Sequence, residues 1–213
     1  MSDSKNNPSE LLPSATPDLK PVTKLPRKPV AVMSVVDIVN DELIDTLKAQ
    51  FGNAIIAAKT IAGQQVLEVD KAQVKALLAY LFSETTPNFN MLTDLTAVHT
   101  PDKETPLEVV YQLYTLPGYR RLRIKTSLKE GEVIDTVTDI WATANWLERE
   151  VYDLFGIFFR EHPDLRRILL PRGWVGHPLR KEYPLEYQDN EWVAQNLQIR
   201  DLPTNHDYIG KFE

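Results

Sequence analysis

The sequence predicts an α+β fold, with helices packed on one face of a small mixed or antiparallel sheet and an extended C-terminal arm after it. Three observations predict it. Segments of helical and of strand-like apolar period occur in runs, without the strict alternation of a parallel α/β fold. Clusters of Gly and Pro separate them. Beyond Gly156, prolines at 163, 171, 178 and 184 recur too closely for a long helix, yet Ile157, Phe158, Phe159, Ile168, Leu169, Leu170 and Trp174 are too apolar for a solvated linker. The 213 residues divide accordingly into a Pro-rich tail at 1–32, a globular α+β domain at 33–155 and an arm at 156–213.

The tail holds six of the fifteen prolines, at 8, 13, 17, 21, 26 and 29, with Ser, Asn, Lys and Asp between them, the composition of a disordered segment. Asn40 suits the cap of a helix running to Phe51, with Asp41 and Glu42 in its first turn and Gly52 after it. Ala54 to Thr60 and Gln65 to Val69 read as two strands about Gly63. Asp70, with Gln73 at the capping-box position, opens a second helix whose stripe is Val74, Leu77, Leu78, Leu81 and Phe82. Met91 to Val98, Glu108 to Leu116 and Arg120 to Leu128 read as three more strands. In the last, Arg121, Arg123 and Lys125 alternate onto one face opposite Leu122, Ile124 and Leu128, which reads either as a solvated sheet face or as a basic stripe for an acidic partner. A third helix starts at Asn145, with Glu148 three residues on in capping-box position, and stops at Gly156. Its apolar stripe is Leu147, Val151, Leu154 and Phe155, with Arg149, Glu150 and Asp153 together on another face.

Composition excludes several functions. No apolar run approaches the roughly eighteen residues of a membrane helix, and the N-terminus has no secretory h-region, so a cytoplasmic location is expected. With no cysteine there is no thiolate zinc site and no cysteine-ligated iron–sulfur cluster. A net charge of −6 and a short basic stripe argue against nucleic acid. The eight glycines form neither GxGxxG nor a P-loop. Glu148 and Glu150 point about 200° apart on a helix and cannot share a small substrate. Glu150 and Asp153 beside Arg149 suit an ion-pair network better than an acid–base pair. His162 and His177 each precede a proline and lack metal-ligand spacing, which favours structural histidines. No catalytic, cofactor-binding or metal-binding residue is therefore assigned. Between Gly156 and Leu185 the arm carries six Arg and Lys against three Asp and Glu, opposite in sign to the whole chain. Such a segment lies along a surface, its own or a partner's.

The motifs of Glu148 to Pro184 sharpen this. The chain reads Glu148-Arg149-Glu150, then Asp153-Leu154-Phe155, then His162-Pro163-Asp164-Leu165-Arg166-Arg167-Ile168-Leu169, then His177-Pro178-Leu179-Arg180-Lys181-Glu182-Tyr183-Pro184. This resembles the signature of the C subunit of bacterial respiratory complex I, the proton-pumping NADH:quinone oxidoreductase, and of its mitochondrial and plastid counterparts. The one departure is Glu182, where the family often has Asp. The likeness extends more loosely back to about residue 34.

The resemblance implies an α+β fold and a non-catalytic subunit of the peripheral arm, with NADH, FMN, iron–sulfur clusters and quinone bound by other subunits. It implies packing mainly against the D subunit of complex I, and near the B subunit and the cluster-bearing subunits of the connecting module. Membrane contact would come only through the complex, at the cytoplasmic face of the cell membrane. Glu148, Arg149, Glu150, Asp153, His162, Asp164, Arg166, Arg167, His177, Arg180 and Lys181 would then be interface residues. Glu148, Arg149, Glu150 and Asp153 are expected to form a buried or half-buried charge network with Arg166, Arg167, Arg180 or Lys181, within the chain or across an interface. A ferredoxin:plastoquinone-type complex or a membrane-bound hydrogenase could also use the same subunit, since the electron donor binds elsewhere.

Overall fold

The computed structural model describes residues 34–38, 41–183 and 195. The Pro-rich tail, Asn40 and the segment from Pro184 on, with Trp192, Leu197, Ile199, Tyr208, Ile209 and Phe212, lie outside these residues, apart from the isolated Gln195.

A six-stranded mixed sheet is built from β1 (Val35–Asp37), β2 (Ile55–Ile61), β3 (Gln64–Val69), β4 (Met91–His99), β5 (Leu107–Tyr114) and β6 (Arg121–Leu128). Its order is β1-β2-β3-β6-β5-β4, with β3 and β6 parallel and the other neighbours antiparallel. The helices are α1 (Glu42–Phe51), α2 (Val74–Ser83) and α3 (Ala144–Phe155). The expected α+β class and its five expected strands are present, with ends shifted by a residue or two. Three short strands were not legible. β1 is one. The others, β7 (Val133–Asp135) and β8 (Phe158–Arg160), form a separate parallel pair. Each is three residues long, too short for period to show.

The helix starts differ from expectation. Asp41, expected in the first turn, caps α1: its Oδ1 accepts Ile44 N–H at 3.2 Å, and both its carboxylate oxygens lie 2.7 Å from Arg120 Nη2. Asp70 closes a turn before α2 by accepting Ala72 N–H at 2.7 Å, and the helix itself begins only at Val74. The β2–β3 hairpin turns on Ala62 and Gly63, with φ of 49° and 78°, the pair of positive values that a two-residue hairpin needs.

One core fills the space between sheet and helices. Ile44 and Leu47 of α1 and Val74, Leu77, Leu78 and Leu81 of α2 join Leu67, Leu95, Tyr111, Leu122 and Ile124 of the sheet. This core continues past the end of α3: Ile157 and Phe159 are each 1% exposed. The backbone of the arm thus begins as strand β8 inside the fold, and only after Glu161, at φ 63°, does it run as turns over the surface.

Candidate functional site

The opposite sheet face holds the basic stripe. Lys125 pairs with Glu108 at 2.7 Å, Arg123 Nη2 donates to Gln64 Oε1 at 2.7 Å, and Arg121 lies over the Tyr114 ring at 5.9 Å. Lys125 and Arg123 thus have polar partners on neighbouring strands. The site of interest is α3 and the arm that folds back over its C-terminal end.

Asp153 is at its centre. It is buried at 0% exposure on the α3 face toward the arm. Its Oδ2 accepts three consecutive backbone N–H groups, from Ile168 at 3.0 Å, Leu169 at 2.8 Å and Leu170 at 2.9 Å. Such a run of amides is a ready anion cradle. Its Oδ1 takes Arg167 Nη1 at 3.0 Å. Burial alone would raise the Asp153 carboxyl, but the three amides and Arg167 overcome it and hold the group below its ordinary value. Arg167 also reaches the Gly176 carbonyl at 3.0 Å, and Arg149 donates to the carbonyls of Arg166 at 3.1 Å and Arg167 at 3.4 Å.

The second motif caps the helix. An α-helix leaves its last four carbonyls without partners inside it. Here Tyr152 O receives Gly156 N–H at 2.9 Å, and the arm supplies the other three donors. His177 Nδ1 donates to Asp153 O at 2.8 Å, Leu179 N to Leu154 O at 3.1 Å and Arg180 Nε to Phe155 O at 2.6 Å. The stretch His177 to Arg180 is thus the C-cap of the helix that carries Glu148 to Asp153. Gly156 at φ 73° makes the turn, and a β-carbon there would stand 2.6 Å from two atoms of the His177 ring.

Glu148 and Glu150 separate. Glu150 is exposed. Glu148 is fully buried away from the arm's cradle, where its carboxylate accepts the Thr136 hydroxyl at 2.5 Å and Val137 N–H at 2.7 Å. The expected capping box with Asn145 does not form, because α3 already starts at Ala144 and carries no side-chain cap. His162 contacts this second acid site: its Nε2 donates to Asn145 O at 3.1 Å and lies 3.9 Å from Glu148. Asp164 and Arg166 pair with each other at 2.9 Å near the surface. Lys181 is exposed, and toward the described residues only its backbone N–H is engaged, donating to His99 Nδ1 at 3.0 Å.

Among the described residues the helix acids occupy two sites on different faces of α3, and Asp153–Arg167 is the one pair there between a helix acid and an arm Arg or Lys. Burial, expected for these acids, is found for Glu148 and Asp153 but not for Glu150. Sequence reasoning also missed Thr136, His99 and Glu130, which carry no motif. His99, Glu130 and Glu182 bring ligand atoms within 4.8 Å of one another at the arm's end, the one such grouping among the described residues. Its carboxylates are already answered by Arg180 Nη1, at 3.0 Å and 3.5 Å.

The arm thus both cradles the buried Asp153 and caps the helix that carries it. Residues 67–189 match the family model described as the respiratory-chain NADH dehydrogenase, 30 Kd subunit. The chain is 47% identical over 153 residues to the NADH-quinone oxidoreductase C subunit of Geotalea uraniireducens, covering 71% of this chain and 92% of that one. It is 35% identical over 180 residues to the subunit of the same name in Brucella ovis, covering 81% and 89%. The chain belongs to this family of respiratory-chain NADH dehydrogenase subunits. Its fold also resembles a chain in the structure of the membrane-bound sulfane sulfur reductase, an archaeal respiratory membrane complex, with a TM-score of 0.55, 21% identity and coverage of 75% and 92%. That likeness concerns fold alone. No helix among the described residues is long and apolar enough to cross a membrane.

Proposed function

We propose that the chain is a non-catalytic positioning subunit in the peripheral arm of a proton-translocating NADH:quinone oxidoreductase. It holds the quinone-site and iron–sulfur subunits in register while electrons pass from NADH to quinone. Electron transfer tolerates little displacement of its cofactors, and a rigid neighbour limits that displacement. NADH, FMN, clusters and quinone are bound by the other chains. The D subunit is the main partner, with the B and connecting-module subunits next to it, on the cytoplasmic face of the membrane.

One observation carries this reading. Arg149, Asp153, Arg167, His177 and Arg180 pin the arm to α3, while the arm leaves Leu169 at 61%, Val175 at 75% and Leu179 at 49% exposure. Arg172 and Lys181 are exposed beside them, without a side-chain partner among the described residues. Exposed apolar and basic side chains along one arm suit a protein neighbour. The motif charges then act on the interface by shaping the arm.

The test is a gentle detergent extraction of native membranes with this chain tagged. Co-purification of a complex with rotenone- or piericidin-sensitive NADH:quinone activity supports the reading. The same core without that activity, with ferredoxin-linked or hydrogenase subunits, assigns the chain to a related complex. Recovery of the chain alone and monomeric overturns both. Asp153→Ala and Arg149→Ala should lower the amount of assembled complex. Normal assembly of a slow complex would instead indicate a mechanistic role.

A further inference from the structure

The sheet face away from the helices carries two guanidinium groups that no described acid neutralises. Lys59 pairs with Glu68 at 3.1 Å and Lys125 with Glu108 at 2.7 Å. Arg121 and Arg123 have no carboxylate partner among the described residues. Arg123 Nη2 donates to the neutral Gln64 side chain, and Arg121 lies over the Tyr114 ring. A guanidinium has five N–H donors; toward described residues Arg123 uses one and Arg121 none. Arg123 Nε is also enclosed, with no hydrogen-bond partner among them. An N–H withdrawn from water and left unpaired is costly. Asp94 of β4 shares the row of Arg123, but Gln112 of β5 stands between them, which separates the two backbones by about 10 Å.

Both arginines line one groove of about 510 Å³, together with Gln64, Gln112, Tyr114 and Met91. No Asp or Glu and no residue of the arm lines it. In a chain of net charge −6, that is a local reversal of sign. Arg, Tyr and Met without acids is the composition of the centre of a protein interface. Val66 and Val110, next in register to Arg123 and Lys125, are buried, so the stems of the cationic side chains lie over this face. Groups held in this way lose less freedom when a partner binds. Arg121 and Arg123 are two residues apart on β6, hence about 7 Å apart on one face, the repeat of alternate residues in any extended segment.

We propose that this groove docks an extended, acidic segment of a neighbouring protein. Carboxylates at alternate positions of that segment meet Arg121 and Arg123, each able to offer a forked pair of N–H donors. Gln64 and Gln112 face its backbone, and Tyr114 and Met91 supply apolar contact. The groove is a second contact surface, apart from the arm, so its test does not depend on which subunit the arm meets.

The test uses the purified full-length chain and a short fluorescein-labelled peptide in which Glu alternates with Thr, followed by anisotropy. Saturable binding is expected. The double variant Arg121→Gln with Arg123→Gln should weaken it by at least about tenfold, and the same peptide with Gln in place of Glu should not bind. Lys48→Gln with Lys103→Gln removes equal charge from exposed positions elsewhere and should leave the affinity unchanged. Should the arginine variant fold poorly, NMR of the wild-type chain titrated with the peptide decides: the shifts should centre on Arg121, Arg123 and Tyr114. Shifts centred elsewhere overturn the proposal, as does an equal loss in the lysine variant or equal binding of the Gln peptide. Tighter binding of a single-stranded RNA oligonucleotide would assign the groove to nucleic acid, and self-association abolished by the arginine variant would assign it to a second copy of the chain. Either result overturns the proposal.

Discussion

Arg167 ties Asp153 to the far side of the arm: one guanidinium nitrogen lies 3.0 Å from Asp153 Oδ1 and the other 3.0 Å from the carbonyl of Gly176. The two contacts span a loop that folds over the C-terminal half of α3, and the amides of Ile168, Leu169 and Leu170 close on the same carboxylate. Asp153→Asn keeps the shape but removes the charge, and its amide must face either Arg167 or three N–H donors. The expected loss of stability is on the order of 3 kcal/mol, since a buried charge pair is broken from one side. Chemical denaturation of the purified chain measures it. A variant as stable as wild type would show that the cradle adds nothing to the fold.

Gly156→Ala should destabilise for two separable reasons. A residue with a β-carbon at φ 73° carries backbone strain, and that carbon would lie 2.6 Å from His177 Cδ2 and Nε2. Strain of this kind costs about 1–2 kcal/mol, and displacing the ring adds the loss of its bond to the Asp153 carbonyl. In the double variant Gly156→Ala with His177→Ala the steric part vanishes. The two effects should therefore be clearly less than additive in melting experiments, and simple additivity would refute the contact.

The class of fold was legible because it rests on long periodic segments: α2 shows its full apolar stripe, and β4, β5 and β6 are eight or nine residues each. The strands β1, β7 and β8 were not, because three residues hold no period and their pairing is set by distant chain. At the site, the motifs named the right residues but not their partners. Glu148 and Asp153 are both expected in a buried or half-buried charge network, and only the fold shows that each is enclosed by backbone amides or a hydroxyl from elsewhere in the chain. Nothing in the spacing of His177, Leu179 and Arg180 says that they cap a helix that ends at Phe155. That follows only once the arm doubles back.

Arg180→Lys tests whether this cap needs the guanidinium. Arg180 Nε donates to Phe155 O at 2.6 Å while Nη1 reaches Glu130 at 3.0 Å. One ammonium cannot hold this planar two-point geometry. The expected loss is about 1 kcal/mol, with faster amide exchange at Leu179, whose N–H caps the neighbouring carbonyl. Hydrogen exchange followed residue by residue would read it. Unchanged protection at Leu179 would mean that the cap is held by His177 and the backbone alone.

The pH dependence of stability should have two limbs of opposite sign. Asp153 is held below its ordinary carboxyl value of 3.8, so below that value the unfolded chain binds the proton that the folded chain refuses. Its contribution is complete above about pH 4 and is lost as pH falls through the folded value. Glu148 lies the other way, raised from 4.5 to about 7. Here the folded chain holds a proton that the unfolded chain releases, so its contribution is complete below its ordinary value and disappears as pH rises to about 7. The size of that limb is on the order of 3 kcal/mol. Together these two acids favour a stability maximum between about pH 4 and about pH 5. Urea unfolding at a series of pH values should show Asp153→Asn flattening the acid limb and Glu148→Gln flattening the limb toward neutrality. If either substitution left its own limb at full slope, the corresponding carboxyl would not be the group that titrates there.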